Sequence, residues 1–306
     1  MLKLDFINVG SGDAILIRET GGEKPFTMLV DAGDDRPLEN EGGTRRVHAA
    51  DYLAREGVEK LDLLVITHLH RDHLFGAEAI VKNIAVDKLI VNYLPDEAHK
   101  NAAVPMETAD GPLPAGLIKG LERQMALANA LRARGAVVEI VDHPVNEIPL
   151  TPALSMDVTC CGRYLYARYR DELDKLVSGR GDRFAMMLMR AYVNLTSLRI
   201  VLTYHGKRIF LPADAYAAYW EVDAEGPCHI LKLPHHGCAA SVTPELLDIL
   251  RPEIAVVSVA NNCGDRPDEG AVRLLLSRVP QVYFTDAVSV CGIEPQFHEA
   301  VTLTID

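Results

Sequence analysis

The sequence lacks the features that mark disulfide-stapled secreted proteins, membrane spans and duplex-binding proteins. Its six cysteines include no CxxC pair, which favours a reducing compartment, where cysteine packs as a small apolar side chain. No apolar run approaches the roughly 20 residues that a membrane-spanning helix needs. The formal net charge of -12 argues against a long nucleic-acid footprint, because duplex binding favours a basic face. We therefore expect a cytoplasmic protein with no membrane partner and no strong nucleic-acid footprint.

The composition is that of an ordinary globular protein. Of the 306 residues, 48% are hydrophobic and 24% are charged, which is ample apolar content for a large core. No stretch rich in proline, glycine or serine divides the chain, and it has no repeat or low-complexity tract. The sequence therefore predicts a single domain over residues 1–306.

Side chains that commonly bind metal ions are concentrated in six residues, at His68, His70, Asp72 and His73. The run 61–66 before them is short and mostly apolar, which predicts a buried strand. The residues after them are spaced for a short helix. Because residues two apart on an extended backbone point the same way, His68 and His70 can share one ion. Asp72 and His73 can then face a second ion, so the spacing predicts two adjacent metal ions.

Two later segments add a carboxylate and two imidazoles. Asp214 follows the predicted strand 207–211, and a carboxylate in that place can bridge two cations. On its own, Asp214 would be typical of a helix N-cap. His235 and His236 follow the predicted strand 230–233. Since adjacent side chains on an extended backbone point to opposite sides, we expect one of these two imidazoles to bind metal.

Other polar residues have two interpretations each. Asp13 and Asp31 could form turns or could support metal ligands; the turn role is favoured for Asp13, and for Asp31 both roles stay open. Residues 162–183 mix arginines, tyrosines and acidic residues. That mixture favours a solvated amphipathic helix over a phosphate- or base-binding surface. Cys238 could be reactive, although packing is the commoner role of such a residue.

Several stretches resemble a known family. The His-x-His-x-Asp-His pattern over 68–73 resembles the signature of the metallo-β-lactamase superfamily. Further stretches resemble its competence-protein DNA-uptake branch, at 8–17, 194–202, 212–214, 231–237, 252–259 and 285–286. The resemblance covers nearly the whole chain, with insertions near 96–125 and 162–185.

The resemblance implies an α/β fold, a four-layer αββα sandwich of two mixed sheets with helices on the outer faces. Near-symmetry would place residues 1 to about 150 in one half and the remainder in the other. The metal ions would then lie at one edge, between the two sheets.

The resemblance also implies a ligand set for two divalent metal ions, with zinc preferred and manganese as the alternative. The implied ligands are His68, His70, Asp72, His73, Asp214 and His236. The glycine after the His-His pair favours His236 as the ligand and leaves His235 to face the substrate. The exchanged assignment of these two residues stays open.

The sequence departs from the family pattern at one expected ligand. Many relatives hold the first ion with a third histidine, which comes between the helix after the signature and the bridging aspartate. In this interval the chain has histidines at His99, His143 and His205, none of them in a convincing context, and Asn194 at the approximate place. Because a neutral amide is a poor zinc ligand, occupancy of both metal sites stays open.

The implied function is a metal-dependent hydrolase, with a small-molecule or short nucleotide-like phosphodiester as the leading substrate class. In this mechanism a hydroxide that bridges the two ions attacks the phosphorus. Asp72 binds metal and orients the nucleophile, and His235 donates a proton to the leaving group or holds a nonbridging oxygen. Hydrolysis of lactones or other carboxylic esters on the same site is an alternative. A non-catalytic, metal-stabilised binding module is another.

Overall fold

The computed structural model describes the chain except residues 23, 37–43, 161, 222–223 and 262–263. The strands are β1 (Leu2–Ile7), β2 (Ile15–Glu19), β3 (Phe26–Val30), β4 (Lys60–Leu61), β5 (Leu63–Ile66), β6 (Ala85–Val86), β7 (Lys88–Val91), β8 (Glu107–Thr108), β9 (Gly111–Pro112), β10 (Val137–Ile140), β11 (Val145–Pro149), β12 (Leu154–Thr159), β13 (Arg199–Tyr204), β14 (Lys207–Leu211), β15 (Ile230–Lys232), β16 (Ile254–Val257), β17 (Gln281–Phe284) and β18 (Ala300–Ile305). The helices are α1 (Ala49–Arg55), α2 (Arg71–Leu74), α3 (Ala77–Asn83), α4 (Ala115–Ala133), α5 (Arg163–Val177), α6 (Arg183–Leu195), α7 (Pro244–Leu250) and α8 (Glu269–Arg278).

Two sheets, each of seven strands within the described residues, contain most of these strands. The first sheet has the order β10-β7-β5-β3-β2-β1-β18, and the second runs from β11 to β17 in sequence order. In each sheet, three consecutive antiparallel pairs adjoin three consecutive parallel pairs; the antiparallel pairs come first when the first sheet is followed from β18 and the second from β11. The two halves of the chain thus repeat one pattern, as near-symmetry predicted. The exception is β18, which returns from the end of the second half to pair with β1.

The largest buried cluster lies between the sheets and joins side chains of both, such as Leu4 and Leu64 from the first and Leu202 from the second. β5 lies between two parallel neighbours, and all four of its residues are buried, which explains its uninterrupted apolar sequence. Helix α4 packs on β10 and helix α8 packs on β17. The predicted four-layer αββα fold is confirmed. No described helix has the length and apolar content to cross a membrane.

Three predicted elements differ from the structure. The sequence of residues 45–56 predicts a helix over that range, but the helix in the structure begins at Ala49. The turn at 68–73 that carries the candidate metal ligands is itself partly helical, because α2 starts at Arg71. The mostly apolar sequence of residues 194–203 predicts a strand over that whole range, which is wrong at its start: α6 continues through Asn194 to Leu195, and β13 begins only at Arg199.

Helix α6 forms for local reasons that the sequence does contain. The Asp182 carboxylate caps it by accepting a hydrogen bond of 2.8 Å from the Ala185 amide. Met186, Met189 and Val193 are spaced for one helical face and are buried. Asn194 therefore lies in the last turn of helix α6. Its side chain reaches the candidate site from a helix end, whereas the sequence placed it on a strand.

Candidate metal centre

The ends of three strands bring the predicted ligands together. The histidine cluster follows β5, Asp214 follows β14 by three residues, and the His235–His236 pair follows β15. β14 and β15 are parallel neighbours, so their carboxyl ends meet at one sheet edge. The β5 end of the first sheet faces that edge, since His73 Nε2 lies 3.3 Å from Asp214 Oδ2.

Two groups of side chains at this edge have the geometry of a metal site. In the first group, the ligand atoms of His68, His70 and Asp214 all lie within 4.8 Å of one another. The second group has the same property and comprises Asp72, His73 and His236. Asp214 lies between the groups: its Oδ2 is 3.7 Å from His68 Nε2, and its Oδ1 is 3.6 Å from His236 Nε2. All six residues that the sequence nominated as ligands are thus in one place.

Several buried atoms at the centre are aimed at the same space and have no hydrogen-bond partner among the described residues. They are the Nε2 atoms of His68, His73 and His236, and Asp214 Oδ1. Each buried polar atom without a partner costs about 1–3 kcal/mol. A group of convergent imidazole nitrogens and carboxylate oxygens is the donor set that zinc and related divalent ions bind. These residues therefore fit a metal centre.

The electrostatics of the centre point the same way. Burial acts to raise the pKa of Asp214, but the imidazoles of His73 and His236 hold that pKa well below its usual range. Burial acts to lower the pKa of His73, but the carboxylates of Asp214 and Asp31 raise it well above its usual range. The carboxylates thus favour positive charge on the imidazoles facing them, and a divalent cation can take the place of those protons.

The far side of each imidazole is held by the protein. The Nδ1 contacts are His73 with Asp31 Oδ2 (2.7 Å), His236 with the Ser258 carbonyl (3.0 Å) and His68 with Thr67 Oγ1 (3.0 Å). Each acceptor places the ring hydrogen on Nδ1 and leaves Nε2 free for a cation. Of the two roles left open for Asp31, the structure has its carboxylate supporting a predicted ligand.

The backbone around the His-His pair differs from the expectation. His235 and His236 are not extended but have left-handed conformations, with φ of 44° and 57°. Their rings therefore do not point to opposite sides, and both approach Asp214. His236 is fully buried, and its Nε2 is 3.4 Å from Asp72 Oδ2. His235 lies at the rim, where 18% of its side chain is exposed.

Two uncharged side chains contact the ring nitrogens of His235. Its Nε2 lies 3.2 Å from Asn194 Nδ2, and its Nδ1 lies 3.2 Å from Cys238 Sγ. Asn194 also lies 3.4 Å from the Tyr216 hydroxyl. Burial lowers the pKa of His235 to about 4. Among the described residues, no third histidine joins the group of His68 with its two partners.

The other histidines in the interval lie elsewhere. His99 and His143 are on the surface, and each pairs with a neighbouring aspartate at 2.7 Å. His205 is exposed in the hairpin turn between β13 and β14.

The sequence interpretation missed several residues of this region, among them Tyr216 and Lys232. For Tyr216, the only indication in the sequence is its position two residues after Asp214. For Lys232 the sequence does contain an indication, because a lysine inside the apolar stretch Ile230–Leu233 needs a buried counter-charge. That counter-charge is Asp13, which is buried and paired with Lys232 Nζ. The turn role that the sequence favoured for Asp13 therefore leaves out its main contact.

Comparison with known proteins gives one family and several similar proteins. The model of the metallo-beta-lactamase superfamily matches residues 7–260. ComE operon protein 3 of Bacillus subtilis (strain 168) is 21% identical over 297 residues, which cover 93% of this chain and 32% of that protein. The chain thus spans about a third of the length of the curated relative that it matches.

Similar solved structures share little sequence with this chain. The metallo-beta-lactamase fold protein YhfI from Bacillus subtilis is 10% identical, with a TM-score of 0.48 over 99% of this chain and 100% of that one. Human short-form tRNase Z is 10% identical, with a TM-score of 0.46 and full coverage of both chains. A diphosphatase of the PhnP family is 13% identical, with a TM-score of 0.46 over 100% of this chain and 98% of that one.

Proposed function

This chain belongs to the metallo-beta-lactamase superfamily, and on that premise we propose that it is a metal-dependent hydrolase of phosphodiester bonds. The substrate class is a small-molecule or short nucleotide-like phosphodiester. The single observation that carries the proposal is the convergence of six buried or half-buried donor side chains from three distant segments of the chain. Such a set of donors is typical of a dinuclear hydrolase centre.

We assign one divalent ion to each group of ligands, with zinc preferred over manganese. His68, His70 and Asp214 would hold the first ion, and Asp72, His73 and His236 the second, with Asp214 shared between them. When bound, such ions supply Lewis acidity and make water nucleophilic near neutral pH. The mixed imidazole and carboxylate donors suit zinc, while the lack of a third imidazole in the first group leaves room for manganese.

The residues of the chain would orient the reactants. Asp72 has 28% of its side chain exposed, so one of its oxygens can accept a hydrogen bond from the attacking water and direct it. Without substrate, His235 Nε2 accepts from the Asn194 amide, so the ring hydrogen lies on Nδ1, toward Cys238 Sγ. When a substrate oxygen takes the place of that amide, the Cys238 thiol can donate to Nδ1 and the ring hydrogen can lie on Nε2. We therefore assign His235 Nε2–H to a nonbridging oxygen of the substrate, in preference to proton donation to the leaving group.

Charge balance supports an anionic substrate. Asp72 and Asp214 offset only half of the positive charge that two divalent ions bring, and the four imidazoles are neutral when they bind metal. Behind these ligands, Lys232 offsets one of the two negative charges of Asp13 and Asp31, so the loaded centre keeps a small net positive charge. A phosphodiester carries the negative charge that such a centre attracts, whereas a lactone or simple ester does not.

The test is turnover of bis-p-nitrophenyl phosphate by the metal-free protein and by protein reloaded with zinc or manganese. Turnover should require the ion and should fall at least about a hundredfold in Asp214→Asn. The matched control is Asp157→Asn, on β12 in the second sheet, where the carboxylate accepts a hydrogen bond from the Glu147 backbone amide at the surface. Cleavage that survives both chelation and Asp214→Asn would refute the proposal. Turnover of simple lactones without phosphodiester cleavage would instead support a hydrolase of lactones or other carboxylic esters.

A further inference from the structure

A buried ammonium group lies directly behind the candidate metal centre. Lys232 is the last residue of β15, and its side chain has no exposed surface. Its Nζ forms an ion pair with Asp13 Oδ2 and donates a hydrogen bond of 3.3 Å to the Ala213 carbonyl. A lysine is almost never buried so completely without a paired charge. This one therefore has a specific role at its position.

The partners of Lys232 each hold a segment that carries candidate ligands. Asp13 lies in the turn after β1, and its amide donates a hydrogen bond of 3.2 Å to the Asp72 carbonyl. The contact is close, because a Cβ atom added at Gly12 would overlap that carbonyl oxygen. The same Asp13 carboxylate lies 3.8 Å from His73 Nδ1. Asp13 thus fixes the Asp72–His73 turn from behind.

The second partner holds the other two segments. Ala213 immediately precedes Asp214 and has a left-handed backbone, with φ of 50°. Its carbonyl accepts from Lys232 Nζ and also from the His235 amide, at 3.1 Å. One ammonium group therefore contacts the anchors of all three ligand-bearing segments, including the one that continues from its own strand.

The cluster around Asp13 has the composition of a cation site. Ligand atoms of Asp13, Asp31 and His73 lie within 4.8 Å of one another and are buried. Both oxygens of Asp31 already accept hydrogen bonds, from Thr67 and from His73. The Lys232 ammonium supplies the positive charge beside Asp13. The chain thus provides its own cation at this place.

We propose that Lys232 is a positioning residue that serves as a built-in third cation of the centre. Its ammonium group holds the Asp72, Asp214 and His236 segments in the arrangement that binds metal, before any ion arrives. The inference rests on the ligand assignment of the proposed function. It does not depend on which bond the protein hydrolyses.

The test is zinc affinity, measured by competition with a chromogenic chelator. Lys232→Met alone leaves Asp13 buried without a counter-charge and can prevent folding, so the decisive variant is Lys232→Met with Asp13→Asn, which removes both charges and keeps the volumes. This double variant should bind zinc about tenfold or more weakly at unchanged stoichiometry. In the metal-free state, its amides at 213–216 should exchange hydrogen faster. The matched control is Lys60→Met with Asp62→Asn, an exposed ion pair at 3.1 Å.

The outcomes separate the two proposals. A folded double variant with the zinc affinity and amide exchange of the unaltered chain would overturn the role of Lys232 and leave the proposed function intact. Zinc binding without phosphodiester cleavage by the unaltered chain would overturn the substrate class alone. Failure of the unaltered chain to bind zinc or manganese would overturn both.

Discussion

Asp31 supports two imidazoles of the centre at once, through His73 and through Thr67. Its Oδ2 lies 2.7 Å from His73 Nδ1 and 2.8 Å from the Thr67 hydroxyl. That hydroxyl, having donated to Asp31, accepts from His68 Nδ1 at 3.0 Å. All four side chains are fully buried. One carboxylate therefore sets the tautomer of a histidine in each metal group, with Nε2 turned toward Asp214 in both.

We expect Asp31→Asn to weaken zinc binding about 10–100-fold. Both Asp31 oxygens accept hydrogen bonds, Oδ2 from His73 and the Thr67 hydroxyl and Oδ1 from the Thr67 amide, whereas an asparagine would set its NH2 group against one of these donors. Chelator competition measures this directly. Asp62→Asn is the control, since that carboxylate accepts a backbone amide at the surface and is 30% exposed. Wild-type affinity in Asp31→Asn would mean that the rings are oriented by packing alone.

We expect substitutions of the adjacent histidines His235 and His236 to differ in their effect on the zinc content of the protein. His236→Asn removes a buried donor of the Asp72 group, so the purified variant should hold about half the zinc of the unaltered chain. His235→Asn should keep the full zinc content and lose about a hundredfold or more in kcat. Elemental analysis of gel-filtered protein, run beside the turnover assay, measures both. The opposite pattern would exchange the assignments of the two residues.

Much of the centre is encoded in short stretches of sequence. A buried strand that ends in His-x-His-x-Asp-His specifies both the residue types and their place at a strand end, so ligands could be nominated at His68 to His73 without coordinates. Asp214 and the His235–His236 pair could be nominated for the same reason, since each follows an apolar strand, and the family resemblance then favoured His236 of the pair. The two-sheet architecture was predictable from the family resemblance, and the structure confirms it.

What the sequence could not give is the local backbone. His235 and His236 were treated as extended because a strand precedes them, but two successive left-handed residues turn both rings toward Asp214. Left-handed histidines are uncommon and leave no sequence signal. The partner of Lys232 could not be predicted from the sequence either, because Asp13 is more than 200 positions away and the two meet through the packing of the sheets.

Replacing Asn194 tests the missing third histidine. The amide lies 3.2 Å from His235 Nε2 and also beside His70. We expect Asn194→His to tighten zinc binding about tenfold, and to favour zinc over manganese, because it adds a soft nitrogen donor to the first group. Asn194→Ala, which adds no donor, is the control. If Asn194→His binds zinc no tighter than the unaltered chain, this position is too far from the first group to complete it.

An ion-pair cluster remote from the centre predicts how folding stability depends on pH. Glu56 accepts from Arg18 at 2.5 Å and from Lys3 at 3.4 Å. The hydrogen bond from Arg18 is the main cause that lowers the pKa of Glu56. A group whose pKa is lower in the folded state stabilises the fold above its unfolded pKa, and that contribution is lost as the pH falls through the folded value. Because the side chain is about a third exposed, the contribution is small.

We therefore expect Glu56→Gln to lower the free energy of unfolding by about 0.5–1 kcal/mol at pH 7. The difference from the unaltered chain should shrink as the pH falls below about 4, where the free carboxyl also takes up a proton. Urea unfolding at a series of pH values measures both. Glu122→Gln, on the exposed face of α4, should change stability by less than about 0.5 kcal/mol. A deficit in Glu56→Gln that persists unchanged at low pH would show that Glu56 contributes through packing and not through its charge.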